Sequence, residues 1–150
     1  MTYEELVAET GAEIGIEGFA PDADGVCVLA SDIGEIMIMD CKGPREMVLL
    51  SAAVADVPPD AGAALLEALK ANRGFRDTKG STLSVDPETK RFELSRYAFL
   101  EGLDPDKFVA IIEDFATALV DVRARLEGAS LDQAPGDAAA SLGLGEFMRV

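Results

Sequence analysis

The sequence predicts an α+β fold in which three helices pack on an antiparallel sheet, in the order α-β-β-β-α-β-β-α. Three apolar segments between residues 26 and 54 are joined by short connections that contain glycine, which is typical of β-hairpins. Amphipathic helical segments precede, interrupt and follow the strands as separate blocks. This separation favours an α+β fold over a doubly wound fold, in which strands and helices alternate.

The first two helices are predicted from their terminal signals. Thr2 and Glu5 fit a capping box at the start of a helix that extends to about Ile14. Asp60 is the expected N-cap of the middle helix, which carries a leucine stripe and is expected to stop at Gly74.

The longest helix is predicted over the segment LDPDKFVAIIEDFATALVDVRARLE, with Asp104 as its N-cap and Pro105 at its first position. Apolar residues recur every three or four positions along its whole length. Residues 1–127 are therefore expected to form a single domain. Residues 128–150, which are rich in Ala, Gly and Ser, are expected to form a flexible C-terminal tail.

The strand segments differ in how many of their faces are apolar. In EIMIMDC, Ile36 and Ile38 point to one face of the strand, and Met37 and Met39 point to the other. Such runs, which include VCVLAS and EMVLLSAAV, are typical of strands covered on both faces. We expect the isoleucines to meet the core and the methionines to offer an adaptable surface to a partner. Burial of both faces within the chain is the alternative.

A second pair of strands is predicted in STLSVDPETKRFELSRYAF, around a DPETK turn. Apolar and polar residues alternate here, which predicts a conventional half-exposed hairpin.

Composition excludes several classes of function. The formal charge of −15, from 28 acidic and 13 basic residues, disfavours binding to nucleic acids and anionic membranes. No apolar run is long enough for membrane insertion, and the acidic first residues do not resemble a signal peptide, so a cytoplasmic location is expected. Histidine is absent, which removes the commonest general base and most transition-metal sites. We predict no cofactor, no metal site and no catalytic residue, and therefore not an enzyme.

The charge is unevenly distributed along the chain. Residues 1–60 hold 13 acidic and two basic residues, a net charge of −11, whereas residues 67–97 hold five acidic and seven basic residues, a net charge of +2. A set of solvated surface charges is the simpler interpretation. Alternatively, the acidic first part meets a basic partner segment, or the two regions orient subunits in an assembly.

Three short patterns are weak candidates for a site that binds a ligand or carries chemistry. Asp22 and Asp24 lack the remaining ligands of a calcium-binding loop. The segment RDTKGST lacks the order of residues of a phosphate-binding loop. Cys27 and Cys41 lie on adjacent predicted strands, where two buried thiols are expected more often than a redox pair.

The middle helix carries Leu65, Leu66, Leu69, Ala71 and Asn72. They are followed by STLSVDPETKRFELS and LDPDKFVAIIEDFATALVDVRARL. With these segments the chain resembles the class I chaperones of bacterial type III secretion, which bind effectors before export. The order of elements matches over residues 2–127.

The resemblance implies a homodimer that holds an extended segment of a secreted effector, keeps it soluble and competent for export, and needs no catalysis. It implies a dimer contact through the middle helix and a neighbouring strand, at Leu65, Leu66, Leu69, Phe92 and Leu94. It implies effector contacts on the first helix and the early strands, in grooves and by strand addition, at Leu6, Ile14, Ile16, Phe19, Val28, Met37, Met39 and Leu49. About half of the latter are expected to face the effector and the rest to fill the core, because a sheet normally buries one face. Release of the effector would fall to other machinery, such as the export apparatus.

Two alternatives remain open on the sequence alone. The first is an interaction or regulatory module of the same fold outside secretion, which the absence of a neighbouring gene for a secreted protein would favour. The second is a small enzyme or metal protein that uses carboxylates, which stoichiometric metal in the purified protein would support.

Overall fold

A computed structural model describes residues 1–131 and shows one five-stranded antiparallel sheet with the strand order β1-β2-β3-β5-β4. The strands are β1 (Val26–Ser31), β2 (Gly34–Cys41), β3 (Met47–Asp56), β4 (Thr82–Asp86) and β5 (Arg91–Phe99). The helices are α1 (Tyr3–Glu13), α2 (Gly62–Asn72) and α3 (Pro105–Leu131), and a 3₁₀ turn, Arg73–Phe75, follows α2. The predicted fold class and order of elements are confirmed.

The starts of α1 and α3 follow their predicted signals, and the start of α2 does not. The Glu5 N–H donates to the Thr2 hydroxyl at 3.2 Å, and the Thr2 N–H donates to the Glu5 carboxylate at 2.8 Å, which completes the capping box. Asp104 accepts a backbone N–H at the start of α3. The prediction that Asp60 caps α2 is wrong, because Ala61 holds the cap position in a helical conformation and no side chain caps this end.

Helix α3 is longer than predicted. It continues through Gly128 to Leu131, so the predicted boundary after residue 127 lies inside the helix. A glycine inside a helix costs only about 1 kcal/mol relative to alanine, and a helix of this length tolerates that cost. The remainder of the predicted tail lies outside the described residues.

The core lies between the sheet and the helices α1 and α3. Ile36 and Ile38 of β2 are buried in it, as predicted, and the Tyr3 hydroxyl of α1 donates to the Ile38 carbonyl at 2.8 Å. The largest fully buried side chains are Leu6, Val7, Ile38, Val48, Leu50, Phe92, Leu94, Phe108, Phe115, Leu119 and Val122. We call the opposite face of the sheet the outer face.

Asn72 joins the end of α2 to β4. Its side-chain amide donates to the Leu83 carbonyl and accepts from the Leu83 N–H, both at 2.8 Å. The two bonds satisfy the backbone N–H and C=O of Leu83 in the edge strand β4. An asparagine directly after the leucines of α2 therefore sets the position of that helix at the sheet edge.

Candidate protein-binding site

The outer face of β1, β2 and β3 carries adjoining apolar side chains. Val28 pairs with Met37 across β1 and β2, and Met39 pairs with Leu49 across β2 and β3. Strand pairing with a two-residue side-chain period puts these four on the same face. Val28 and Met37 are exposed, and Met39 and Leu49 are half-buried. The structure thus brings together four of the residues that the family resemblance implies as effector contacts.

Two aromatic side chains of β5 extend this surface. Tyr97 pairs with Leu49, and Phe99 pairs with Met47, so both lie on the outer face, where they are 60% and 52% exposed. The Arg45 guanidinium lies 5.6 Å from the centre of the Phe99 ring. We call the six residues Val28, Met37, Met39, Leu49, Tyr97 and Phe99 the outer patch.

The sequence reasoning missed Tyr97 and Phe99, although the signal was present. Phe92 and Leu94 occupy even positions of β5 and face the core. Alternation along the strand then puts the odd positions 97 and 99 on the outer face. Two large aromatic side chains at solvent-facing positions of a strand are the pattern that marks a binding surface.

The outer patch ends where polar residues begin. Ser51 of β3 pairs with Ser95 of β5, which pairs with Thr82 of β4. Next to this row, Ala53 pairs with Glu93, and Glu93 pairs with Ser84. The outer face is therefore apolar at one side and polar at the β4 side, which restricts where an apolar partner can lie.

A second exposed apolar group lies after α1. Ile14 and Ile16 are exposed, and Phe19 is half-buried because it packs directly on Gly11. The Ile16 N–H donates to the Gly11 carbonyl at 2.8 Å and folds this segment back on the helix. In contrast, Leu6 is fully buried in the core, so an effector cannot contact it while the protein is folded.

Helix α2 turns three of its alanines inward and two of its leucines outward. Ala64, Ala68 and Ala71 are buried, whereas Leu69 is 70% exposed and Leu65 is also exposed. A surface helix normally packs its large apolar side chains against the core, so exposed leucines and buried alanines are the reverse of the usual arrangement. An exposed leucine stripe on a helix that is held by small residues marks a contact surface. We call Leu65 and Leu69 the α2 surface.

The other residues predicted for the dimer contact lie elsewhere. Leu66 is half-buried. Phe92 and Leu94 are 1% and 0% exposed and belong to the core, because they occupy the inward positions of β5. A partner cannot reach their side chains, and the structure corrects their placement. Phe75, which the sequence reasoning missed, is exposed directly after α2 and has a φ of +55°, a conformation that is uncommon for residues other than glycine.

The two cysteines lie on opposite faces of the sheet and do not form a redox pair. Cys27 pairs with Ile38 and faces the core, whereas Cys41 pairs with Met47 on the outer face. Burial raises the pKa of both thiols, and the nearby Asp40 carboxylate raises the pKa of Cys41 further. Neither thiol is therefore activated as a nucleophile.

The acidic loop before β1 is a turn. The Asp22 carboxylate accepts the backbone N–H groups of Asp24 and Val26, both at 2.9 Å. Among residues 1–131, no group of three or more Cys, Asp or Glu side chains is arranged to hold a metal ion. In the same part of the chain, no helix has the length and apolar character needed to cross a membrane.

Comparison with known families identifies the fold and its class. The family model described as the Tir chaperone protein (CesT) family matches residues 5–123. The chain belongs to this family. Membership of the CesT family confirms the sequence-based assignment to the class I chaperones of type III secretion. No curated protein matches the chain.

Solved structures similar to this CesT-family chain share its fold. A chain of the ExsC–ExsE complex is 20% identical with a TM-score of 0.64, over 77% of this chain and 86% of that one. A chain of the HopA1–SchA chaperone–effector complex is 18% identical with a TM-score of 0.63, over 83% and 93% of the two chains. A chain of the heterodimeric ExoU–SpcU complex of the Pseudomonas aeruginosa type III secretion system is 18% identical with a TM-score of 0.62, over 85% and 99%.

Proposed function

We propose that this CesT-family chaperone binds an extended apolar segment of a secreted effector on the outer patch, and keeps that segment unfolded and competent for export in the cytoplasm. The observation that carries the proposal is the apolar face of β1, β2, β3 and β5, on which Val28, Met37, Tyr97 and Phe99 are exposed among residues 1–131. Several adjoining apolar side chains on one sheet face favour a protein partner over solvent. The chaperone–effector complex among the structural neighbours supports this kind of partner.

The outer patch suits an extended segment better than a folded domain. Its side chains come from successive strands, so they form a row that runs across the sheet, from Val28 on β1 to Tyr97 on β5. A disordered segment loses conformational entropy when it binds, and a preformed apolar surface offsets that cost. Methionine side chains at two of the six positions adapt to different partner shapes. Ile14, Ile16 and Phe19 supply a second contact for the same segment.

We further propose that the α2 surface forms a homodimer contact. Leu65 and Leu69 lie four residues apart on one face of α2, and the buried alanines leave both side chains available. In a dimer with two-fold symmetry the same patch meets itself, so an exposed leucine stripe is self-complementary. The α2 surface and the outer patch lie on different elements, so one molecule can use both.

The experiment compares three full-length chains by co-purification from the native cell, with mass spectrometry of the secreted protein that each chain retains. Val28→Glu together with Met37→Glu introduces charge into the outer patch. Val120→Glu is the matched control, because Val120 is 44% exposed on α3 and Val28 is 48% exposed. We expect the control to retain the effector and the double variant to lose it, with equal thermal stability, since burial of two unpaired carboxylates opposes binding.

Two results would overturn this proposal. Undiminished effector retention by the double variant would remove the outer patch from the site. Unfolding of the double variant, in contrast to Val120→Glu, would show that Val28 and Met37 stabilise the monomer and are not a binding surface.

A further inference from the structure

The outer patch is bordered by opposite charges at its two ends. Glu35 lies two positions before Met37 on β2, so alternation puts it on the outer face, next to the pair of Val28 and Met37. At the other end, the Arg45 guanidinium lies over the Phe99 ring, 5.6 Å from its centre. Both charged side chains are exposed. The apolar surface therefore lies between a carboxylate and a guanidinium.

Both charges are available to a partner. In the part of the chain that the structure describes, Glu35 and Arg45 take no part in an ion pair. Glu46 and Glu101 line the same cavity as Arg45 without pairing with it. Arg123 approaches the turn before Glu35 from α3, on the core side of the sheet, where its guanidinium donates to three backbone carbonyls. It therefore does not neutralise the outer face.

Strand geometry sets the distance between the two charges. Glu35 and Cys41 lie six residues apart on the outer face of β2, and Cys41 pairs with Met47, which pairs with Phe99. Six residues of an extended strand span about 20 Å, and the two steps from β2 to β5, each about 4.8 Å, lengthen the diagonal only slightly. Glu35 and Arg45 are therefore about 20 Å apart across the apolar surface.

An extended segment can span this distance and contact both charges. Residues i, i+2, i+4 and i+6 of such a segment point to the same side, and residues i and i+6 lie about 20 Å apart. Apolar side chains at i+2 and i+4 meet the outer patch, while a basic and an acidic side chain at the ends meet Glu35 and Arg45. Reversal of the chain direction exchanges the two ends, so the spacing and the opposite signs matter and the order does not.

We infer that the outer patch selects an extended segment with one basic and one acidic residue six positions apart and apolar residues between them, and that Glu35 and Arg45 determine this specificity. The inference rests on the proposed binding of an extended segment and adds the charge pattern of that segment. Charges at the border of an interface mainly decide between partners, whereas apolar contacts supply most of the affinity. A net charge of −15 attracts any cation, so the requirement for an acidic residue distinguishes this specificity from non-specific attraction.

Three synthetic peptides test the inference by fluorescence anisotropy with the full-length protein. Each has leucine at positions i+2 and i+4 and threonine between them, and they differ only at positions i and i+6, which are Lys and Glu, Lys and Lys, or Glu and Glu. We expect the wild type to bind the Lys/Glu peptide about five-fold more tightly than either of the others, because one exposed charge pair changes affinity by up to about that factor. The measurement is made in about 0.15 M NaCl, where the Debye length of about 8 Å limits the effect of distant charges.

Charge reversal in the protein should change the preferred peptide. We expect Arg45→Glu to prefer the Lys/Lys peptide and Glu35→Lys to prefer the Glu/Glu peptide, each by about five-fold. The variant with both changes should again prefer the Lys/Glu peptide, because that peptide can bind in the reverse direction. Arg45→Gln removes the charge alone and should bind the Lys/Glu and Lys/Lys peptides equally. Lys90→Glu and Glu88→Lys, at exposed positions of the β4–β5 turn, are the matched controls and should keep the wild-type preference.

Three results would overturn the inference, and they separate it from the proposed function. Equal binding of the three peptides by the wild type, with loss of all three in Val28→Glu with Met37→Glu, would remove the charge pattern and leave the binding surface intact. A change of preference in Lys90→Glu as large as in Arg45→Glu would assign the selectivity to net charge. Absence of binding of all three peptides to the wild type would overturn both the binding surface and its specificity.

Discussion

Gly11 determines how closely the segment after α1 can fold back on that helix. A Cβ atom at this position would lie 2.5 Å from Phe19 Cβ and 3.1 Å from the Ile16 carbonyl oxygen. Alanine raises helix propensity by about 1 kcal/mol. The forced displacement of Phe19 costs about 1–3 kcal/mol, which is larger. We therefore expect Gly11→Ala to lower the free energy of unfolding, measured by urea denaturation.

The control for this prediction lies at the end of α3. A Cβ atom at Gly128 meets nothing within 4 Å. Gly128→Ala should therefore gain the helix propensity without a clash, and raise the free energy of unfolding by up to about 1 kcal/mol. If both variants stabilise the protein, Phe19 does not pack on Gly11 in solution.

Individual residues also show which buried and exposed side chains can be predicted from the sequence alone. Alternation predicted the two faces of β2 correctly, because a strand has only two faces and Ile36 and Ile38 share one. On a helix, the three- and four-residue spacing of apolar positions does not distinguish a core leucine from a surface leucine. Leu6 is buried and Leu69 is exposed, and the difference depends on whether the leucines or the neighbouring alanines pack inward.

Arg123 joins α3 to two parts of the sheet. Its guanidinium donates to the Ile33 carbonyl at 2.7 Å, to Val54 at 3.1 Å and to Ala53 at 3.3 Å. These acceptors lie at the β1–β2 turn and at the bulge in β3, where the strand ladder is irregular. We expect Arg123→Met, which keeps the apolar stem, to lower the free energy of unfolding by about 2 kcal/mol, because it leaves part-buried carbonyls without a charged donor.

Arg125 provides the comparison from the same helix. It forms ion pairs with Glu67 at 3.3 Å and Asp77 at 2.9 Å at the surface. Ion pairs of this kind contribute about 0–1 kcal/mol. Chemical denaturation of Arg125→Met should therefore show a smaller loss than Arg123→Met, and equal losses would mean that the backbone contacts of Arg123 are unimportant.

The proposed dimer is tested on helix α2. Leu69→Glu puts a charge on the most exposed large apolar side chain of the described residues and should convert the dimer to a monomer. The monomer should remain folded, since Leu69 contributes little to the core. Light scattering coupled to size-exclusion chromatography measures the mass, and Val120→Glu on α3 is expected to stay dimeric. Dissociation of both variants would indicate a charge effect that is not specific to α2.

Strands and helices were easier to predict than their ends. The five strands follow from apolar runs and turn residues, which are local signals. The start of α2 and the end of α3 do not follow the local signals at Asp60 and Gly128, since Ala61 holds the cap position of α2 and α3 continues to Leu131. The homodimer and effector contacts were implied by the family resemblance, and composition excluded other classes without indicating a partner.

The whole molecule carries a large negative charge, and only some of its carboxylates stabilise the fold directly. Asp86 accepts hydrogen bonds from the Thr89 hydroxyl and the Glu88 N–H, and the Lys107 side chain and N–H both donate to Asp104. These contacts lower the pKa of both carboxyls below their ordinary value of 3.8. The folded protein therefore binds these two protons less tightly than the unfolded chain does.

The lowered pKa values of Asp86 and Asp104 make the folded protein less stable in acid. A lowered pKa in the folded state contributes stability that is complete above the ordinary value of 3.8 and is lost as the pH falls through the lower folded value. We expect the urea midpoint to fall as the pH decreases below 3.8. Asp86→Asn with Asp104→Asn should flatten this acid limb, since asparagine still accepts a hydrogen bond but carries no charge.

Repulsion among the negative charges lowers the stability of the folded protein at neutral pH. Its dependence on salt distinguishes it from the stabilising contacts of Asp86 and Asp104. A net charge of −15 disfavours the compact state at neutral pH, so added NaCl should raise the urea midpoint at pH 7 by screening that repulsion. The acid limb should persist in high salt, because the short contacts of Asp86 and Asp104 are screened much less than long-range repulsion. Asp106→Asn in the first turn of α3 is the matched control and should leave the acid limb unchanged. If the double variant and Asp106→Asn have the same acid limb as the wild type, the loss of stability in acid comes from the overall charge and not from these two carboxylates.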